Sequence, residues 1–320
     1  MRERTIVGTQ VAVTELAFGG ASLGNLYKET TESDAAAAVD AAWKCGIRYF
    51  DTAPHYGLGL SERRLGRALA QHPRGEFVVS TKVGRIVVPN ENPTQWDDQN
   101  FRVPGTFRRE WDFSRDGILR SIEASLERLG IDQIDIVYLH DPDVSGIPGA
   151  AFEGAATLLE LREQGVVRAV GIGSNDASAI VELLAETDID TAMVAGRYTL
   201  LEQRGADAIF DAAGDRSIIA VGVFNSGLLS TPHPAQGARY NYEEAPPETL
   251  QQALELAAIA DRNGITLPHA AVQFPLLNPR VASVAIGMRT AEQVNTNAEL
   301  YSTQVASDVW DDYRRSGYLQ

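Results

Sequence analysis

Short runs of β-branched and apolar residues alternate along the chain with longer stretches whose apolar positions recur every three or four residues. The run TIVGTQVAV (5–13) places β-branched residues around Gly8-Thr9 and predicts a small hairpin. After it, ELAFGG, IRYFD, EFVVSTK, IDIVYLH, VRAVGIGS, TAMVAGRY, SIIAVGVF and VASVAIG read as strands. Helices are predicted between them at 33–44, 61–70, 114–129, 152–164, 177–185, 201–213, 249–262 and 290–300. In 114–129 the apolar residues Ile118, Ile122, Leu126 and Leu129 carry the helical period. A further C-terminal helix is predicted at 305–316.

About eight strand–helix units close a (β/α)8 TIM barrel, an α/β fold. The expectation is one domain over 1–320, with an N-terminal β-hairpin and a C-terminal extra helix. Several strands are continuous apolar runs, as parallel strands covered on both faces require. The stretch 84–113 reads as a long irregular loop with Pro89, Pro93, Pro104, Trp96 and Trp111, and loops of that length are usually functional or mobile. An open dinucleotide-binding sheet would also alternate, but its G-x-G-x-x-G is missing: FGGASLGN, GIGSND and GLGLSE all fail the pattern.

Composition narrows the partners. The 320 residues are 44% hydrophobic and 22% charged, an ordinary globular balance. A net charge of −15 repels nucleic acid and anionic membranes. Cys45 is the only cysteine, which excludes an intrachain disulfide and fits a reducing compartment. The opening MRERTIVGTQ has no apolar signal core, and no apolar run approaches a membrane span. The expected setting is the cytoplasm. Oligomeric state is not readable from the chain.

The active site of such a barrel lies at the C-terminal ends of its strands. Those ends carry Asp51, Lys82, His140, Ser174 and Asn175, and the loop after Asp51 carries Tyr56. A lysine ammonium lowers the pKa of a neighbouring tyrosine from about 10, and an aspartate keeps the lysine charged and fixed. The tyrosine then exchanges a proton nearer neutral pH, while a histidine holds the substrate oxygen. Taken singly, each residue has a plainer role. The aspartate could cap a helix, the tyrosine pack a loop, the lysine end a strand in solvent and His140 open a turn before Pro142. No hydrolase-type nucleophile–base pair occurs, and the five scattered histidines and single cysteine lack metal-ligand spacing, so no metal is expected.

The segment FDTAPHYGLGLSERRLGRAL closely resembles the first signature of the aldo-keto reductases. So do Lys82 after VVST, His140 in DIVYLH, and GIGSN, and the likeness runs from the hairpin to AIGMRTAEQVNTNAEL. The resemblance implies hydride transfer to or from a nicotinamide coenzyme, with the catalytic tetrad on Asp51, Tyr56, Lys82 and His140. It places Ser174 and Asn175 on the carboxamide and Phe224 against the nicotinamide ring, where core packing is an equal alternative. Asn225, Ser226, Gly287, Arg289, Gln293 and Asn297 fall at further coenzyme positions. Many members hold the 2′-phosphate of NADPH with I-P-K-S-x-x-x-x-R-x-x-x-N. Here IGMRTAEQVNTN puts Gly287, Met288 and Gln293 at the lysine, serine and arginine positions and keeps Asn297. NAD is therefore expected. NADP is possible through Arg289, which could equally be an exposed charge near a helix start.

WDFSRDGILRSIEASLERLGIDQIDIVYLHDPD and AGRYTLLEQ resemble the branch with L-fucose, D-threo-aldose and galactose 1-dehydrogenases and pyridoxal 4-dehydrogenases. The likeness implies a sugar or aldehyde substrate and oxidation of an anomeric hydroxyl to a lactone. GNLYKE and 84–113 are expected to rim the pocket, with Arg197 shaping it. Trp96 and Trp111 either face the sugar or anchor the loop. Other uses of such a barrel are a general aldehyde reductase, a nucleotide-binding regulatory subunit and a Schiff-base lyase acting through Lys82. The Asp51 and Tyr56 partners suit the redox reading best.

Overall fold

The computed structural model describes residues 1–319. β1 (Glu3–Thr5) and β2 (Ala12–Thr14) pair antiparallel, and the chain turns between them at Gly8, φ 81°. The hairpin closes the bottom of the barrel: Ile6, Val11 and Val13 pack against Tyr49, Tyr138 and Met193 inside it. Then come β3 (Leu16–Gly19), α1 (Glu32–Lys44), β4 (Tyr49–Asp51), α2 (Leu60–Leu69) and β5 (Val78–Val83). The chain continues through β6 (Arg85–Thr94), β7 (Gly105–Trp111), α3 (Arg115–Leu129), β8 (Ile136–His140), α4 (Ala150–Glu163) and β9 (Ala169–Ser174). Next are α5 (Ala177–Glu186), β10 (Thr191–Ala195), α6 (Ala206–Ala213), β11 (Ser217–Val221), β12 (Arg239–Tyr240) and β13 (Glu243–Glu244). Last are α7 (Pro247–Arg262), α8 (Leu267–Gln273), β14 (Val281–Gly287), α9 (Ala291–Ser302) and α10 (Ser307–Arg315).

The eight strands β3, β4, β5, β8, β9, β10, β11 and β14 close a barrel in that order, all neighbours parallel. This is the expected (β/α)8 fold. Helix starts follow local chemistry. Thr31, Ser114, Asp176 and Thr290 each accept a hydrogen bond from a first-turn amide of α1, α3, α5 and α9.

Three expectations need correction. The stretch 84–113 is not irregular: β6 and β7 form an antiparallel ribbon in the register Arg85↔Trp111 to Pro89↔Phe107. A two-stranded ribbon has only edge strands, so its prolines break no interior ladder. The helix predicted from 201 starts at Ala206 instead. Leu200 and Leu201 are buried in an outer apolar cluster, and Gly205, φ 79°, turns the chain into α6. The helix predicted at 249–262 is α7, but it lies outside the ring. It packs with α10 over Leu256, Ile259, Val309, Trp310 and Tyr313. The ring position before β14 belongs to α8, beside α9. At seven residues with Pro268 in its first turn, α8 is too short to show a period.

Candidate active site

The polar strand ends meet at one mouth. Asp51 ends β4, Lys82 lies next to the end of β5, and His140 ends β8. Lys82 Nζ donates to Asp51 Oδ2 at 2.6 Å and to the Thr52 carbonyl at 3.0 Å. Ser80 Oγ donates to the other Asp51 oxygen at 2.7 Å. The two side chains are 3% and 6% exposed, so this is a buried ion pair with its lone pairs met.

The loop carrying Tyr56 is held by close backbone contact. A Cβ on Gly57, φ 64°, would sit 2.2 Å from the Gly24 carbonyl oxygen, so only glycine lets the two turns meet. The polar residues after it are structural. Ser61 Oγ donates to the Gly20 carbonyl, and buried Glu62 accepts from Thr81 Oγ1 and Arg128 Nε. Tyr56 consequently faces the ion pair, with Lys82 Nζ 4.8 Å from its ring centroid. The His140 ring stands at 87° to the Tyr56 ring, centroids 5.9 Å apart.

Burial drives the electrostatics. The Lys82 ammonium loses solvation, but Asp51 and Tyr56 outweigh that loss and hold its pKa above the ordinary lysine value. Burial and the nearby Arg85, His55 and Lys82 charges push His140 well below the usual histidine range, so it is neutral near pH 7. Its Nδ1 is buried without a partner. An unpaired acceptor is the cheaper orphan, which places the ring proton on Nε2. For Tyr56 the expected lowering fails. Burial raises its pKa above 10, and the Lys82 charge only partly opposes this. The ammonium is legible in the sequence, but the desolvation of the phenolate is not.

Tyr56, Lys82, Asp51 and His140 all line one cavity of about 410 Å³, together with Ser174, Asn175 and Gly287. From the predicted rim come Leu26, Gln99, Asn100 and Phe101. Trp96 is 41% exposed and outside the cavity. Trp111 anchors the ribbon, stacked on Phe113 at 6.0 Å. Arg197 does not line the cavity either; its Nε donates to the Asn175 carbonyl at 2.8 Å.

The remaining coenzyme positions are dispersed. Ser174 Oγ donates to Asp143 Oδ1 and accepts from the Asp176 amide. Phe224 packs against two apolar clusters and does not line this cavity; β11 ends at Val221, and Gly222, φ 66°, follows it. Ser226 Oγ accepts from the Tyr242 amide. Arg289 donates to the Leu26 and Lys28 carbonyls and to Thr30 Oγ1, while Gln293 accepts from its amide. Asn297 is buried on α9. Asn225 is 4% exposed with both side-chain polar atoms buried and unpartnered. Groups so placed await a polar ligand. Gly173 and Gly287 line the cavity with no side chain, and a Cβ on either would meet nothing closer than 3.7 Å. The residues present fit a nicotinamide coenzyme.

His55, Asp141 and Tyr242, which the sequence did not single out, also line the cavity, and Arg85 joins it from the rim expected at 84–113. Charges just past Lys82 and His140 were a signal for Arg85 and Asp141. Nothing local marks Tyr242, which arrives from the loop between β12 and β13. Among the described residues no cluster of three or more potential metal ligands occurs, and no helix is long and apolar enough to cross a membrane.

The family model for the aldo/keto reductase family matches residues 15–316. The chain is 45% identical to a D-threo-aldose 1-dehydrogenase of Pseudomonas sp, over 94% of this chain and 93% of that one. It is 35% identical to a pyridoxal 4-dehydrogenase of Microbacterium luteolum, over 99% and 98%. Among solved structures it is similar to the holo form of an aldo-keto reductase from Bacillus halodurans. That match has a TM-score of 0.75 and 26% identity, over 98% of this chain and 96% of the other.

Proposed function

The chain belongs to the aldo/keto reductase family of oxidoreductases, and from that premise we propose that it is an NAD-dependent aldose 1-dehydrogenase. The observation that carries the reading is the buried Asp51–Lys82 pair set against Tyr56, with the neutral His140 in the same cavity. Similarity to an aldose 1-dehydrogenase supports the substrate class.

The nicotinamide, when bound, supplies the hydride acceptor in oxidation and the donor in reduction. Tyr56 takes the proton of the anomeric hydroxyl as phenolate, and the product of a cyclic sugar is the lactone. Lys82 stabilises that phenolate, and Asp51 fixes Lys82. The Nε2–H of His140 donates to the reacting oxygen and orients it. In reduction Tyr56 returns the proton. Ser174, Asn175, Asn225, Ser226, Gly287, Gln293 and Asn297 are the residues that would hold the coenzyme. NAD is favoured because Gly287, Met288 and Gln293 replace phosphate-binding side chains and the Arg289 guanidinium is engaged by Leu26, Lys28 and Thr30.

Pyridoxal, which also forms a cyclic hemiacetal, is the second reading. Its support is the pyridoxal 4-dehydrogenase likeness and the Phe101 ring 6.1 Å from that of Tyr56. The test follows absorbance at 340 nm with NAD⁺ or NADP⁺ and L-fucose, D-arabinose, L-galactose, D-galactose and pyridoxal. NAD⁺ reduction that depends on a sugar is expected. Turnover of pyridoxal alone would overturn the aldose reading, and a clear NADP⁺ preference would overturn the coenzyme assignment.

A further inference from the structure

Arg85 and Asp141 form an ion pair inside the catalytic cavity that the proton-transfer chemistry does not use. Arg85 Nη2 lies 2.5 Å from Asp141 Oδ2. Both ends are held in place. Gly84, φ 97°, bends the chain between β5 and β6, and the Arg85 guanidinium lies over the Trp111 ring, 4.4 Å from its centroid. Asp141 has φ 44°, a left-handed conformation that side chains other than glycine seldom adopt, and its amide donates to the Gly173 carbonyl at 2.9 Å. Backbone strain of this kind persists where the surroundings over-determine it, often at ligand clamps.

The pair also keeps unused capacity beside the reacting centre. Arg85 Nε is buried without a partner. Asp141 Oδ1 takes part in no hydrogen bond, and Oδ2 lies 3.7 Å from His140 Nε2. A carboxylate accepts from a hydroxyl, and a guanidinium donates to the next. Two vicinal hydroxyls offer that alternation, and a simple aldehyde offers neither.

We infer that the Arg85–Asp141 pair is the element that selects polyhydroxylated substrates. Asp141 accepts from the hydroxyl on the carbon next to the reacting one, and Arg85 donates to the hydroxyl beyond it. The inference rests on the aldose reading of the same site. It makes Asp141 a recognition residue rather than only a support for His140. A support would act on every substrate alike, whereas a recognition group acts on those that carry the hydroxyl.

The test compares kcat/KM for the best aldose with that for its 2-deoxy counterpart in wild type, Asp141→Asn and Arg85→Gln. Thermal melting and coenzyme binding verify the folded state, and Arg85→Lys serves if Arg85→Gln does not fold. Wild type should prefer the full aldose by about tenfold to a hundredfold, since a site built for a hydroxyl rejects the analogue lacking it. In Asp141→Asn that preference should fall to about threefold or less. Arg85→Gln, or Arg85→Lys with its point charge in place of the fork, should instead reduce the preference for the full aldose over its 3-deoxy counterpart. In Asp141→Asn, equal losses on the full and 2-deoxy sugars would reassign the pair to positioning His140 and overturn the inference. So would an undiminished preference. A wild-type enzyme that reduces simple aldehydes and oxidises no aldose would overturn the aldose reading itself, a result distinct from either.

Discussion

Replacing Lys82 by methionine tests the electrostatic core of the proposed mechanism. The side chain keeps most of its length and loses only the ammonium. That charge lies 4.8 Å from the Tyr56 ring centroid. At an effective dielectric constant of about 20, a unit charge at this separation stabilises a phenolate by about 3 kcal/mol. Losing it should cut oxidation by about two orders of magnitude at neutral pH. Asp51, left buried without its cation, is driven toward its neutral acid, so the figure counts the ammonium alone. The sign follows from the working form of the tyrosine. Oxidation needs phenolate, so a less stable phenolate moves the rising limb of the pH–rate profile to higher pH. Reduction needs the phenol and should lose less at neutral pH. Breaking a buried pair also costs the fold about 3–5 kcal/mol. Melting curves therefore come first, and Asp51→Asn/Lys82→Met removes both charges if the single variant unfolds. The assay is kcat/KM in both directions across pH, with coenzyme binding measured separately. A folded Lys82→Met enzyme within about threefold of wild type, with an unmoved limb, would refute the reasoning.

Two other outcomes are expected. Tyr56→Phe should lose about 10²- to 10⁴-fold in kcat while coenzyme binding stays largely intact; a loss below about tenfold would sink the proton-transfer role. Burial holds His55 and His140 well below the usual histidine range in the fold, whereas in the unfolded chain they titrate near 6.5. The unfolded state therefore binds more protons below about pH 6.5, so stability is full above that pH and drains as it falls. The double variant His55→Asn, His140→Asn should show a flatter Tm between about pH 7 and 5 by calorimetry, and an unchanged slope would exclude these histidines as its source.

Much of the molecule was determined by the chain alone. Parallel strands buried on both faces must be apolar throughout, and their polar ends must face the mouth, so eight apolar runs announced the barrel. The runs ending in Asp51, Lys82 and His140 marked the residues the structure brings together. Local turn chemistry marked the Tyr56 loop through Gly57. Other features depend on neighbours distant in sequence, and only the tertiary structure decided them. The ribbon of β6 and β7 exists because its halves pair across an intervening loop, which periodicity within either half does not report. Whether α7 or α8 occupies the ring depends on which apolar face meets the barrel. Arg289 read equally as a phosphate ligand or an exposed charge, and only the fold set the Leu26 and Lys28 carbonyls and the Thr30 hydroxyl against it. The Tyr56 pKa had the right contributors and the wrong balance. Desolvation is a property of everything packed around a group, and no spacing of residues along a chain carries that quantity.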